Sequence, residues 1–146
     1  MSDCIFCDII AGRAPARIIH RDDSTIAFLS ADPEVRGHAL VIPLEHIATW
    51  PELDETLVSD IFLAVRLVSQ QLRAGLSADS VNILLAGGPE AGQSIGHFHI
   101  HILPRWSGDG VDAWPILPGY HGDIDENFRA VVGKGEIAED DVNRDL

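Results

Sequence analysis

Apolar and polar residues alternate along His97-Phe98-His99-Ile100-His101. In a β-strand, successive side chains point to opposite faces. A strand here would place the three histidines on one face, about 6.6 Å apart. Phe98, Ile100 and Ile102 would then face a core. Leu103-Pro104 is expected to end the strand, because proline cannot donate a hydrogen bond to the sheet.

Four further runs of apolar and β-branched residues predict strands. They are Arg17–Arg21, Thr25–Leu29, His38–Pro43 and Ser80–Leu85. The polar residues Asp22-Asp23-Ser24 between the first two runs are typical of a hairpin turn.

A helical period predicts one long helix from about Asp54 to Ala74. Its apolar stripe consists of Leu57, Ile61, Val65, Val68 and Leu72, at spacings of three and four. Gly75 suits the position just past its end. Two short helices are also predicted, one over residues 4–11 with Ser2 or Asp3 as cap and Gly12 as stop, the other over residues 125–132 with Asp125 as cap.

The order of these elements predicts an α+β fold with a mainly antiparallel sheet, one long crossover helix and short terminal helices. The long helix would cover one face of the sheet, and the other face would hold the polar residues. We expect a single domain over residues 1–146, with a core at about 4–105 and a loop-and-helix tail over 106–146. The acidic end, Glu136 to Asp145, reads as a solvated tail.

Charge narrows the range of partners. The 146 residues carry a formal net charge of -13, and Lys134 is the only lysine. Such a surface repels nucleic-acid backbones and anionic membranes, so neither is an expected partner. No apolar stretch reaches the ~18 to 20 residues of a membrane span. The N-terminus lacks the features of a signal peptide. These features predict a cytoplasmic protein with reduced cysteines.

The histidine row indicates chemistry at phosphorus. A neutral imidazole is a good nucleophile, and covalent catalysis splits one hard displacement into two easier ones. Such a mechanism needs one attacking histidine, a second group to orient it or move its proton, and donors for the phosphate oxygens. His99 lies in the middle of the row. Gln93, Ser94 and the backbone N–H groups of the loop 87–94 could cradle a phosphate.

Two metal sites are compatible with these residues. Cys4 and Cys7 would share a helix face, and a structural zinc site would need two further ligands. His46 and one histidine of the row could supply them, whereas two plain thiols without a metal are the alternative. In the second arrangement the three histidines of the row would bind a catalytic zinc with an open fourth position.

The segment from His97 to Leu103 resembles the signature of the histidine triad superfamily of nucleotide hydrolases and transferases. The resemblance extends to Cys4–Ile10, to Gly37–Pro43 with His46-Ile47, and to Ala91–Ser94. It covers residues 4 to about 105 in order, whereas the tail is only loosely similar.

The resemblance implies a nucleotidyl intermediate on His99. The bond attacked would be at the α-phosphate of a nucleoside phosphoramidate, a dinucleoside polyphosphate or a related conjugate, and water would release a nucleoside monophosphate. His101 and His38 would line the phosphate and leaving-group site, and Gln93 and Ser94 would bond oxygens there. The chemistry would need no metal. Activity should fall below about pH 6, because the attacking imidazole must be neutral.

The resemblance also implies a structural zinc held by Cys4, Cys7, His46 and His97. Phe6 and Phe28 would form walls of a nucleobase pocket, although both could equally be core residues. The resemblance also implies a homodimer, because family members usually pair through the long helix and a central strand. The stripe from Leu57 to Leu72 could serve that purpose, although it could equally be intramolecular core.

Two departures from the family pattern bear on activity. Ser30 stands where many members carry an acidic residue for the ribose hydroxyls, and Ala86-Gly87 stands where many carry asparagine. They motivate a second hypothesis, a nucleotide-binding or scaffold protein with little turnover. A zinc-dependent hydrolase that uses the histidine row is the third.

Overall fold

The computed structural model describes residues 3–113 and 117–133. Its helices are α1 (Ile5–Ile10), α2 (Glu55–Leu76) and α3 (Ile124–Val132), and its strands are β1 (Arg17–Arg21), β2 (Thr25–Leu29), β3 (Ala39–Pro43), β4 (Ser80–Leu85) and β5 (Ile100–Arg105). Short 3₁₀ turns cover Trp50–Glu52 and Pro89–Ala91. The chain forms two compact units, the first ending at Val111 and the second beginning at Asp112.

The five strands lie in the order β1-β2-β3-β5-β4, and every neighbouring pair is antiparallel. β3 and β5 are adjacent although α2 and β4 separate them in sequence. α2 contacts all five strands. The prediction of an α+β fold with an antiparallel sheet and one long crossover helix is therefore confirmed.

The sheet is packed on both faces. On one face, the apolar stripe of α2 lies against Phe98, Ile100 and Ile102. On the other, Phe6 and Ile9 of α1 pack on four apolar residues of β2 and β3, which are Ile26, Phe28, Leu40 and Ile42. The expectation that the second face holds the polar residues is thus only half right. Since α1 closes part of that face, β2 and β3 are buried on both sides.

The histidine strand begins later and ends later than predicted. β5 runs from Ile100 to Arg105, so Leu103-Pro104 does not end it. β3 pairs with β5 only as far as Ile102, so Pro104 has a single strand neighbour, β4. A proline is tolerated there because no second ladder requires its missing N–H group.

Three helix ends differ from the prediction. The Asp54 carboxylate caps α2 by accepting a hydrogen bond from the Leu57 N–H at 2.8 Å, but the helix passes through Gly75 and ends at Leu76. Ser77 takes the left-handed conformation there, with φ 54°.

The short helices also have different caps. α1 follows Cys4 and has no side-chain cap, so Asp3 does not cap it, whereas Ser2 lies outside the described residues. α3 is capped by Asp123 rather than by Asp125, because the Asp123 carboxylate accepts from the N–H groups of Asp125 and Glu126. The predicted acidic tail also lies outside the described residues. Within residues 3–113 and 117–133, no helix has the length and apolar character of a membrane span.

Candidate active site and metal site

His99 is held in one tautomer. The side chain is only 6% exposed, and its Nδ1 lies 2.8 Å from the backbone carbonyl oxygen of His97. A carbonyl oxygen can only accept, so Nδ1 carries the proton and donates it. In the neutral ring Nε2 is then unprotonated and has a free lone pair. This is the form of histidine that can act as a nucleophile.

His38 and His101 form a directed chain of hydrogen bonds. The Glu34 N–H donates to His38 Nδ1 at 3.1 Å, and His38 Nε2 lies 2.9 Å from His101 Nδ1. Since His38 Nδ1 accepts, its Nε2 is the protonated nitrogen and donates to His101. The proton of neutral His101 is then on Nε2. The chain thus holds His101 as a hydrogen-bond donor.

Burial keeps this pair uncharged. Desolvation, with smaller effects of the nearby His99 and His38, lowers the pKa of His101 to about 4. Desolvation also lowers the pKa of His38, against the opposing effect of the Glu34 and Asp32 carboxylates. Both imidazoles are therefore neutral at pH 7, as the hydrogen-bonded chain requires.

The three histidines His38, His99 and His101 line one cavity of about 440 Å³. Ser94 and the carboxylate residues Asp32 and Glu34 also line it. An adjoining, mainly apolar cavity of about 260 Å³ is lined by Phe6 and Phe28. Phe6, Ser30 and Asp32 line both cavities, so the two lie side by side. A polar compartment next to an apolar one could hold a phosphate beside a flat ring.

Gln93 stands apart from the other candidate substrate residues. Its side-chain nitrogen donates to the carbonyl oxygens of Ala48 at 2.7 Å and Ile95 at 2.9 Å, and its oxygen accepts from the Gly88 N–H at 2.9 Å. It does not line the histidine cavity, whereas its neighbour Ser94 does. The structure thus shows Gln93 as a brace of the glycine-rich loop.

The residues at the two departures offer little in compensation. The Ser30 hydroxyl donates to the Asp32 carbonyl oxygen at 3.0 Å and accepts from the Asp32 N–H at 3.3 Å. At the second departure, Ala86-Gly87, the nearest asparagine upstream is Asn82. Its side chain accepts a hydrogen bond from Arg105 and lines neither of the two cavities, so it does not replace the missing asparagine.

A second constellation has the geometry of a metal site. The ligand atoms of Cys4, Cys7, His46 and His97 all lie within 4.8 Å of one another. Cys7 Sγ is 3.2 Å from His46 Nδ1, and His97 Nδ1 is 3.6 Å from Cys4 Sγ and 3.7 Å from Cys7 Sγ. Tetrahedral zinc, with bonds of about 2.0 to 2.3 Å, separates its ligands by roughly 3.3 to 3.8 Å. Two thiolates and two imidazoles at these distances fit a structural zinc.

The environment of His97 supports that fit. Its Nε2 lies 3.0 Å from the carbonyl oxygen of Pro43, to which it donates, so Nδ1 is the unprotonated nitrogen that faces the thiols. A backbone carbonyl on the far nitrogen is the usual support of a metal-bound histidine.

The three imidazoles of the histidine row face different partners. His97 Nδ1 faces the cysteines, His99 Nδ1 faces a carbonyl oxygen, and His101 Nδ1 faces His38. Among the residues that the structure describes, the Cys/His set has the spacing of metal ligands. The three histidines of the row do not have that spacing.

Two features of the site are not predicted by the sequence pattern. These are the His38–His101 bond and the carboxylates of Asp32 and Glu34. Leu40 pairs with His101 in the β3–β5 register, so His38 is the diagonal neighbour on the same face. That register was the one signal that could have revealed the contact.

Comparison with known proteins agrees with this geometry. The HIT domain family matches residues 11–108. The HIT-like protein MJ0866 of Methanocaldococcus jannaschii is 37% identical over 130 residues, which are 89% of this chain and 99% of that protein. The adenylylsulfatase HINT3 of Arabidopsis thaliana is 38% identical over 131 residues, 90% of this chain and 66% of that protein. The chain therefore belongs to the HIT family.

Solved structures give the same result. A HIT family protein from Bacillus subtilis matches with a TM-score of 0.79 at 33% identity, over 94% of this chain and 99% of that one. A zinc-bound histidine triad protein from Mycobacterium smegmatis matches with a TM-score of 0.73 at 33% identity, over 80% and 84% of the two chains.

Proposed function

We propose that this protein is a nucleotidyl hydrolase or transferase that acts through a covalent intermediate on His99. The observation that carries the proposal is the hydrogen bond from His99 Nδ1 to the His97 carbonyl oxygen. It leaves Nε2 free to attack, and it stabilises the positive charge that the ring acquires when Nε2 bonds to phosphorus. The substrate would be a nucleoside phosphoramidate, a dinucleoside polyphosphate or a related nucleotide conjugate.

The steps follow from the tautomers. His99 Nε2 attacks the α-phosphorus, and the bond to the leaving group breaks with its electron pair on that group. His101 donates its Nε2 hydrogen bond to the reacting phosphate or leaving group, and His38 holds it in that tautomer. Water then attacks the phosphorus and releases a nucleoside monophosphate, which restores neutral His99. The attack requires the neutral form of the His99 imidazole.

The remaining substrate contacts are assigned by position. Ser94 would bond a phosphate oxygen, and Gln93 would shape the same loop or reach an oxygen itself. Phe6 and Phe28 would flank the base, because both line the apolar cavity. Ser30 lies where the two cavities join and would meet the ribose.

The zinc would have a structural role. Cys4, Cys7, His46 and His97 would hold it, and it would tie α1 to the segment that precedes β5. None of the four residues lines the cavity of His99 and His101, and no step of the proposed reaction requires the metal.

We also infer a homodimer in the cytoplasm. Phe62, Leu63 and Leu67 on α2 and Ile83 and Leu85 on the edge strand β4 are large apolar side chains that are 42% to 56% exposed. Large apolar side chains exposed in this number are typical of surfaces that pack against another protein.

The first test is intact-protein mass spectrometry after brief mixing with an adenosine phosphoramidate and an acid-free quench. The wild type should gain one nucleotidyl group, and His99→Ala should gain none. His20→Ala is the matched control, because His20 pairs with Asp22 in the hairpin and does not line the cavity. An adduct on His99→Ala would exclude this nucleophile.

A binding protein with little turnover is the second candidate. Ser30 favours it, because the Ser30 hydroxyl is already bonded to Asp32 and offers no charge to a ribose. Tight binding of a nucleoside monophosphate without adduct or turnover would support this candidate over the enzyme. Loss of activity on chelation, together with loss of metal in His99→Ala, would instead indicate the zinc hydrolase.

A further inference from the structure

We propose that the Cys/His metal centre positions His99, so that metal binding and nucleotide binding strengthen each other. This inference rests on the proposed function, and it assigns a positioning role to Phe6 and His97. Two separate contact routes join the metal site to the nucleophile.

The first route runs through Phe6. This residue lies between the thiol ligands Cys4 and Cys7, and its side chain is buried, with 4% exposure. Its ring meets His97 edge-on at 5.7 Å between centroids and His99 at 5.4 Å. It also lines both substrate cavities. Any shift of α1 therefore moves a wall that touches the nucleophile.

The second route runs through His97 itself. Its ring faces the thiols with Nδ1 and donates from Nε2 to Pro43, while its backbone carbonyl accepts the Nδ1 proton of His99. A metal bound to Nδ1 would fix the ring at its second edge. The backbone carbonyl of the same residue, which is joined to the ring through Cβ and Cα, would then present one orientation to His99.

α1 depends on outside contacts for its position. It is six residues long and lacks a side-chain cap, and a helix of that length is not stable alone. Its interior face is held by Phe6 and Ile9 in the second core, and the metal ligands would hold its N-terminal end. Without the metal, the end that carries Phe6 loses an anchor.

Coupling between two sites is reciprocal, which makes the proposal measurable. Adenosine monophosphate is the probe, because its binding needs no turnover. In isothermal titration, adenosine monophosphate should bind the zinc-loaded protein at least about fivefold more tightly than it binds the chelated protein. Zinc affinity, measured by competition with a chromophoric chelator, should increase by the same factor when the nucleotide is present.

NMR of the His99 imidazole gives a readout that needs neither nucleotide nor activity. Zinc loading should shift the His99 ring signals and narrow them to one conformation. Equal nucleotide affinity with and without zinc, within twofold, together with unchanged His99 signals, would overturn the proposal. If chelation unfolds the chain, the Cys4→Ser variant, whose metal site is weakened, takes the place of the chelated protein in these measurements.

Two variants separate the positioning role from simple packing. Phe6→Leu keeps an apolar side chain but loses the ring contacts, and the coupling should fall to less than about twofold. Ile9→Val is the matched control, because Ile9 lies on the same helix in the same core without a ring contact to the histidines. It should retain full coupling. Full coupling in Phe6→Leu would remove Phe6 from the proposal.

The outcomes also distinguish this inference from the proposed function. Reciprocal coupling without a His99 adduct would support the inference and contradict the enzyme. An adduct that forms at equal rate with and without zinc, with equal nucleotide affinity, would support the enzyme and contradict the inference.

Discussion

His38 Nε2 donates to His101 Nδ1 at 2.9 Å, and the two rings lie 5.1 Å apart between centroids. His38 precedes β3 and His101 lies in β5, so the bond spans the two strands that meet at the centre of the sheet. The residue just before β3 thereby sets the tautomer of a histidine on β5.

Removing that support should slow catalysis. In His38→Ala, the His101 ring loses the donor that fixes its tautomer and orientation. We expect kcat to fall by about tenfold to a hundredfold, the range known for metal-bound histidines that lose the hydrogen-bond partner of their other nitrogen. KM should change little, and steady-state hydrolysis of an adenosine phosphoramidate provides both constants. His20→Ala should retain wild-type turnover. An unchanged kcat in His38→Ala would show that the His38–His101 bond is unnecessary for catalysis.

The depressed pKa of His101 predicts a pH-dependent stability. The folded value of about 4 lies below the ordinary histidine value of 6.5, so the unfolded chain binds more protons between these limits. Stability therefore rises with pH, being complete above about 6.5 and lost as pH falls towards 4. The effect is on the order of 2 to 3 kcal/mol.

Urea unfolding at pH 4.5 and pH 7.5 measures this effect. The wild type should lose more stability at the lower pH than His101→Gln, because the variant has no proton to take up at this position. The carboxylates common to both proteins cancel in the comparison. Equal losses would contradict the prediction.

The end of α2 offers two stabilising changes. Gly75 lies inside the helix, and a Cβ there would meet no atom within 4 Å, so Gly75→Ala should stabilise the protein by about 0.5 to 1 kcal/mol. Ser77 adopts φ 54°, so Ser77→Gly should relieve strain of similar size. Urea unfolding measures both changes. Gly37→Ala is the contrasting control, because its Cβ would collide with Leu76 and the protein should be destabilised.

The stability of the glycine-rich loop should depend on Gln93. Gln93→Ala leaves the Gly88 N–H and the carbonyl oxygens of Ala48 and Ile95 without their partner, which should cost about 2 kcal/mol. Gln93→Glu should cost more, because it places a carboxylate oxygen against two carbonyl oxygens. Thermal unfolding measures the loss, with Gln70→Ala on the exposed face of α2 as control. Wild-type stability in Gln93→Glu would argue against the brace.

The exposed apolar face of α2 should be the dimer contact. Light scattering coupled to gel filtration should give the wild type twice the chain mass of 15.9 kDa. Leu67→Asp should give a monomer, because it places a charge in the interface. Ile18→Asp, an exposed position on the far edge strand β1, should remain dimeric. A dimeric Leu67→Asp would exclude this face.

The sequence was informative wherever a period ran over many residues. Alternation identified the faces of the histidine row, and all four other strands lie where apolar runs placed them, except that β3 begins at Ala39 rather than His38. The match to family motifs identified four residues that the fold gathers into one metal-like cluster.

A periodic pattern does not predict contacts between distant segments of the chain. Whether Pro104 ends a strand depends on how far β3 extends beside it, and that register is set by the whole sheet. Gly75 suggested a helix end, but packing of α2 across the sheet outweighed the local preference of glycine. One of the three backbone hydrogen bonds of Gln93 likewise depends on Ala48, which lies 45 residues away in the sequence.

The distance between Cys7 and His97 along the chain has a consequence for biosynthesis. Their sequence separation is 90 residues, and a ribosome adding about 5 to 20 residues per second needs roughly 5 to 20 s to bridge it. During that interval the nascent chain presents two thiols before the last imidazole of the Cys/His cluster has been made. If the cluster holds zinc, each new molecule would pass through a period in which oxidants or other metals compete for the cysteines, and synthesis of His97, just before β5, would end it.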